Sequence, residues 1–88
     1  MARFLLECPH TDEDCVAELD SIFGHSEELF SRFDWGCKVN DHRGWAILEA
    51  GDESTLRMLL PTRVRAKATV VRLNKFTPED VKSFHEAG

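Results

Sequence analysis

The run Gly44-Trp45-Ala46-Ile47-Leu48-Glu49-Ala50 constrains this chain more than any other stretch. Small and large apolar residues fill it, one charge interrupts it, and Gly51-Asp52 closes it. Such a run reads as a central β-strand buried on at least one face. Alternation along a strand puts Ala46, Leu48 and Ala50 on one side and Trp45, Ile47 and Glu49 on the other. The small residues of the first side suit helices packed close to a sheet.

The remaining segments arrange themselves around that strand. Ala2 to Cys8 alternates and is rich in Phe and Leu, so it predicts strand one, ended by Pro9. Thr11 and Asp14 have capping-box spacing. Cys15, Val16, Leu19, Ile22 and Phe23 then recur at helical intervals, with a break at Gly24-His25-Ser26 and a resumption at Leu29, Phe30 and Phe33. Trp35, Cys37 and Val39 alternate as strand two, and Asn40 to Gly44 form the turn of a hairpin. Asp52 caps a second helix with Leu56, Leu59 and Leu60 as its stripe, ending at Pro61. Ala68 to Leu73, with β-branched Thr69, Val70 and Val71, is strand four. Thr77-Pro78-Glu79-Asp80 starts a short terminal helix. The order is β-α-β-β-α-β plus that helix. Right-handed crossovers convert it into a ferredoxin-like α+β domain, with a four-stranded antiparallel sheet in the order 4-1-3-2 and two helices on one face.

Length and charge bound the rest. At 88 residues the chain makes one domain, residues 1–88, near the size at which a single core barely suffices. No apolar run approaches the roughly 20 residues of a membrane span, and Met1 to Leu6 is too short for a secretory signal. Three cysteines are an odd set for a disulfide framework. These features imply a cytoplasmic protein with reduced thiols. A net charge of −5 argues against nucleic acid as a partner. Eight acids and no Lys or Arg lie between Glu7 and Glu28, whereas five bases and no acid lie between Pro61 and Phe76. The two segments either attract each other within one monomer or form an anion-binding or self-complementary surface.

The order of elements, the length, and the run Gly-Trp-Ala-Ile-Leu-Glu-Ala-Gly-Asp ahead of the second helix resemble the dimeric α+β barrel superfamily. The likeness extends to its muconolactone-isomerase-like, antibiotic-biosynthesis-monooxygenase-like, small uncharacterised and nickel-binding members. It implies a homodimer in which open sheet faces meet. No catalytic residue of those families maps onto a position of this chain, and one fold hosts many activities.

Two constellations could carry chemistry. Strands one and two run toward the same sheet end, so Cys8, His10, Cys15 and His42 can gather there. Two thiolates and two imidazoles suit zinc, and can also ligate nickel or copper. The alternative is that both cysteines are small core residues and both histidines are solvated. The second constellation is the open sheet face. Arg3, Leu5, Glu7, Lys38, Trp45, Ile47, Glu49 and Arg72 would line a cavity between paired sheets, fit for a small ligand, with Glu7 or Glu49 as acid or base. The alternative there is cross-strand ion pairing, such as Arg3 with Glu49. Three functions follow: a small homodimeric binding protein, a nickel- or zinc-binding protein, or a cofactor-free enzyme of monooxygenase or isomerase type.

Overall fold

Strand β1 (Ala2–Pro9) is the middle of the molecule, because it alone pairs on both sides with long strands. The computed structural model describes residues 1–87. After β1 come helices α1 (Cys15–His25) and α2 (Glu27–Ser31), a two-residue strand β2 (Asp34–Trp35), a 3₁₀ turn (Cys37–Val39) and β3 (Arg43–Ala50). Helices α3 (Glu53–Met58) and α4 (Thr62–Arg65), strand β4 (Thr69–Leu73) and helix α5 (Pro78–Ala87) complete it. The result is an α+β domain with one antiparallel sheet in the order β2-β3-β1-β4.

Alternation decides which face of the sheet is covered. Phe4, Leu6 and Cys8 of β1 and Ala46, Leu48 and Ala50 of β3 are buried, and they share one core with Ile22, Leu29, Leu56 and Val64 of helices α1 to α4 and with Leu60 between α3 and α4. The register pairs Phe4 with Leu48 and Leu6 with Ala46. Ala46 and Ala50 leave the room that helix backbones need to approach the sheet. On the other face, Arg3 pairs with Glu49, Leu5 with Ile47 and Glu7 with Trp45.

Strand β4 corrects part of the expected open face. Val70 pairs with Leu6, and Arg72 with Phe4. Both therefore lie on the helix-bearing side of the sheet, Val70 packed against the core and Arg72 exposed at the edge. Val71 is the β4 residue beside Leu5 on the open face. The run Thr-Val-Val-Arg-Leu alternates too weakly to fix its own register. Lys38 also leaves that face: it is exposed in the 3₁₀ turn.

Strand two is the largest departure. The alternation of Trp35, Cys37 and Val39 fits a strand, yet pairing stops at Trp35. Asn40 closes the 3₁₀ turn in the left-handed region at φ 65°, where Asn is tolerated far better than most residues. Gly36 has no room for a side chain, since a Cβ there would stand 2.7 Å from the Asp41 carbonyl oxygen. The Trp35 ring lies on Gly44, where an added Cβ would meet its Cζ3 at 2.5 Å. The hairpin thus bends sharply after Trp35, and Cys37 leaves the sheet.

The opposed charge segments meet inside the monomer. Glu18 of α1 is fully buried, and its Oε1 lies 3.2 Å from Lys67 Nζ and 3.7 Å from Arg63 Nε. Arg63 also reaches Asp14 at 3.4 Å. Helix α1 is therefore phased with Cys15, Glu18 and Ile22 toward the body, while Val16 and Phe23, expected in its apolar stripe, are exposed. Leu59 of the second expected stripe is exposed as well.

Helix α5 begins as its sequence predicts. The Thr77 backbone N–H donates to Asp80 Oδ2 at 2.8 Å, and the Asp80 N–H donates to Thr77 Oγ1 at 3.1 Å. Every residue from Pro78 to Glu86 is exposed, so the helix projects from the domain. The radius of gyration, 16.1 Å, reflects this. A compact chain of this length would have about 12 Å.

Candidate metal centre

Two loops at one end of the sheet build the site. In the first, Pro9 ends β1 and the His10 backbone N–H donates to the His42 carbonyl at 3.1 Å, extending the β1–β3 pairing by one residue. A turn over Thr11 to Asp14 reverses the chain. There Asp14 N–H donates to Thr11 O at 3.1 Å and to its Oγ1 at 3.2 Å, and Cys15 N–H donates to Asp12 O at 3.3 Å. Cys15 then opens α1 beside His10.

The second loop joins β2 to β3. Asn40 N–H donates to Cys37 O at 3.1 Å, and Asp41 N–H donates to Gly36 O at 2.9 Å. These bonds fold the 3₁₀ turn back on itself and aim Cys37 at His10. Asp41 is locked from outside by Arg43, with Nε to Oδ1 at 2.7 Å and Nη2 to Oδ2 at 2.6 Å. That bidentate bond holds the Asp41 carboxyl below its usual range. Arg43 also reaches Glu7 at 3.3 Å, and Glu7 accepts a bond from Trp45 Nε1 at 3.1 Å. Glu7, an expected acid or base, is thus engaged as a brace on the open face.

Inside these loops, His10, Cys15, Cys37 and His42 each offer one donor atom, and all four atoms lie within 4.8 Å of one another. Cys37 Sγ is 3.3 Å from His10 Nε2, and the two imidazoles meet edge-on with centroids 5.5 Å apart. Zinc bonds of about 2.3 Å to sulfur and 2.0–2.1 Å to nitrogen give a ligand tetrahedron with edges of about 3.3–3.8 Å. Cys37 and His10, at 3.3 Å, already stand at that spacing, and the other donor pairs lie within 4.8 Å. Three of the four residues are those expected from the sequence.

The fourth is not. Cys8 lies on the core face of β1, wholly buried, and burial first, then the nearby Glu18, pushes its thiol up to about 12. It is a neutral packing residue, and Cys37 takes its place among the donors. A sequence signal was available: His10 and Cys15 are five residues apart, and so are Cys37 and His42. The pattern His-x₄-Cys and Cys-x₄-His is mirrored, one pair per loop.

Electrostatics act on the donors in opposite directions. Burial holds the His10 imidazole below its usual pKa, against the pull of Glu18, so the neutral form that binds metal is the resident one. Burial, with a hydrogen bond to Cys15, raises the Cys37 thiol, so a metal must displace its proton. His10 Nδ1 and His42 Nδ1 are both buried without a hydrogen-bond partner among the described residues. Buried imidazole nitrogens are rarely left unpaired. His10 faces Cys37 with Nε2, so an ion in the cluster would supply a missing partner to His42 Nδ1 and not to His10 Nδ1. Trp35, stacked on Phe33 at 5.3 Å and 6.0 Å from His10 between ring centroids, walls the site from the core side.

The second expected constellation survives in part. Arg3, Leu5, Glu7, Trp45, Ile47 and Glu49 share the open face. Arg3, Ile47 and Glu49 also border an open groove of about 790 Å³ that continues to Arg32 and Met58 at the end of the sheet remote from the thiols. Among the described residues, no helix is long and apolar enough to cross a membrane. Comparison of the chain with protein-family models, with curated proteins and with solved structures gave no match.

Proposed function

We propose that this is a transition-metal-binding protein whose ion is held by His10, Cys15, Cys37 and His42. The observation that carries the reading is the convergence of two thiols and two imidazoles within 4.8 Å from loops far apart in sequence. Zinc is the fitting occupant, because a two-sulfur, two-nitrogen tetrahedral set matches its preference, and nickel is the competitor. All four positions would be filled by the protein, which leaves no open coordination site for a substrate. The function is therefore binding of the metal, for structure or for handling the ion, rather than hydrolysis at it. The test is titration of reduced protein with zinc against a chromophoric chelator. One ion per chain is expected, with loss of binding in Cys37→Ser and retention in Cys8→Ala. A wild-type protein that takes no zinc at micromolar concentration overturns the reading.

The ferredoxin-like topology belongs to the same proposal, and the neighbours β4–β1, β1–β3 and β3–β2 support it. So does a homodimer through the open sheet face, on which Ile47 is 53 % and Val71 48 % exposed beside Leu5 and Trp45. Apolar side chains clustered on one face favour a cover. A small ligand could then occupy the space between the sheets. Sedimentation at tens of micromolar should show twice the monomer mass, and Ile47→Glu should return it to one. A wild-type monomer removes the dimer and leaves the metal site untouched.

A further inference from the structure

We propose that Asp12 is a positioning residue for the metal, fixing His42 to ligate through Nδ1. This rests on the metal-binding reading and adds to it the assignment of one ligand atom and of an outer carboxylate. His42 has two nitrogens in different surroundings. Nδ1 is buried with no hydrogen-bond partner among the described residues, while Nε2 lies 3.3 Å from Asp12 Oδ1. A neutral imidazole carries one N–H and one lone pair. The N–H is favoured where an acceptor waits, which is Nε2, and the lone pair then falls on the buried, unpartnered Nδ1. Metal-bound histidines generally donate their other N–H to a carboxylate or carbonyl, which fixes the tautomer and strengthens the ligand.

The chain places Asp12 for this within the loop that already supplies His10 and Cys15. The Asp12 carbonyl accepts the Cys15 N–H at 3.3 Å, so the backbone that seats the thiol also seats the carboxylate. The six-residue segment from His10 to Cys15 thus brings two ligands of its own and orients a third from the other loop. The Asp12 side chain is 88 % exposed and takes no part in the core. Its loss should leave the metal-free fold intact. His10 is steadied differently, through its backbone N–H on the His42 carbonyl at 3.1 Å.

The experiment has two arms on the full chain. Long-range ¹H–¹⁵N correlation of the zinc-loaded, reduced protein reads which nitrogen of each imidazole ligates. His42 should show metal-type Nδ1 and protonated Nε2. Competition titrations then compare Asp12→Ala, Asp12→Asn and wild type. Asp12→Ala should weaken zinc binding by about tenfold, the low end of outer-shell losses. Asp12→Asn, which keeps an acceptor oxygen, should recover part of that loss, and metal-free melting should be unchanged in both. Wild type that binds zinc through His42 Nε2, or Asp12→Ala that binds as tightly as wild type, overturns the assignment while sparing the metal site. Wild type that takes no zinc in the first arm removes both.

Discussion

Saturating zinc is expected to raise the melting temperature of the reduced protein by roughly 10–20 °C. A ligand that binds only the native state at a hundred times its dissociation constant adds about 2.7 kcal/mol. In a domain of this size each kcal/mol is worth about 4–8 °C. The contacts between the two donor loops include the His10–His42 backbone bond, the Asp12–His42 contact and the Cys37–His10 contact, all at one end of the sheet. An ion would cross-link the start of α1 to the β2–β3 hairpin, segments more than twenty residues apart. The double variant Cys37→Ser, His42→Ala should melt at one temperature with or without zinc. Calorimetry showing an equal shift in that variant would put the ion elsewhere.

Leu6→Ala should be among the most damaging single changes, at about 2–5 kcal/mol. Leu6 is fully buried at the centre of β1, flanked by Ala46 on β3 and Val70 on β4. Its neighbours across the sheet are small or β-branched, so they cannot swing in to fill the space, and a cavity remains. The loss is a large share of the 5–15 kcal/mol that natural domains possess. Urea unfolding by circular dichroism measures it. A change below about 1 kcal/mol would mean that the helices above β1 collapse onto the site.

Much of this was legible in the sequence, and the reasons differ by element. The faces of β3 can be read because buried Gly44, Ala46, Leu48 and Ala50 alternate strictly with half-buried Arg43 and Trp45 and exposed Ile47 and Glu49. The start of α5 could be read because Thr77, Pro78 and Asp80 act locally. Attraction between the acidic segment Glu7–Glu28 and the basic segment Pro61–Phe76 within one monomer is one of two readings the charges allow, and Arg63 and Lys67 lie 3.2–3.7 Å from Asp14 and Glu18. Cys37 was misplaced because Trp35, Cys37 and Val39 have the period of a strand. What overrode that period was tertiary: the Trp35 ring stacked on Gly44, and a turn closed by Asn40. Cys8 lies at the sheet end where the donors gather, yet its alternation with Phe4 and Leu6 marks it as core. Arg72 was assigned to the wrong face because five residues of weak alternation carry no register information.

The projecting α5 gives the molecule two tiers of stability. Ten residues are fewer than the 12–15 or so at which an isolated helix becomes even marginal in water. Among the described residues, its reciprocal cap and the edge-on contact of Phe76 with Phe84, at 5.6 Å, support it locally. Melting it exposes little further apolar surface, since Val81 is 46 %, Phe84 60 % and Phe76 72 % exposed already. Its opening is therefore uncoupled from the sheet. The C-terminal segment can coil and re-form many times within one lifetime of the native domain, while the amides of β1 open only when the whole structure does.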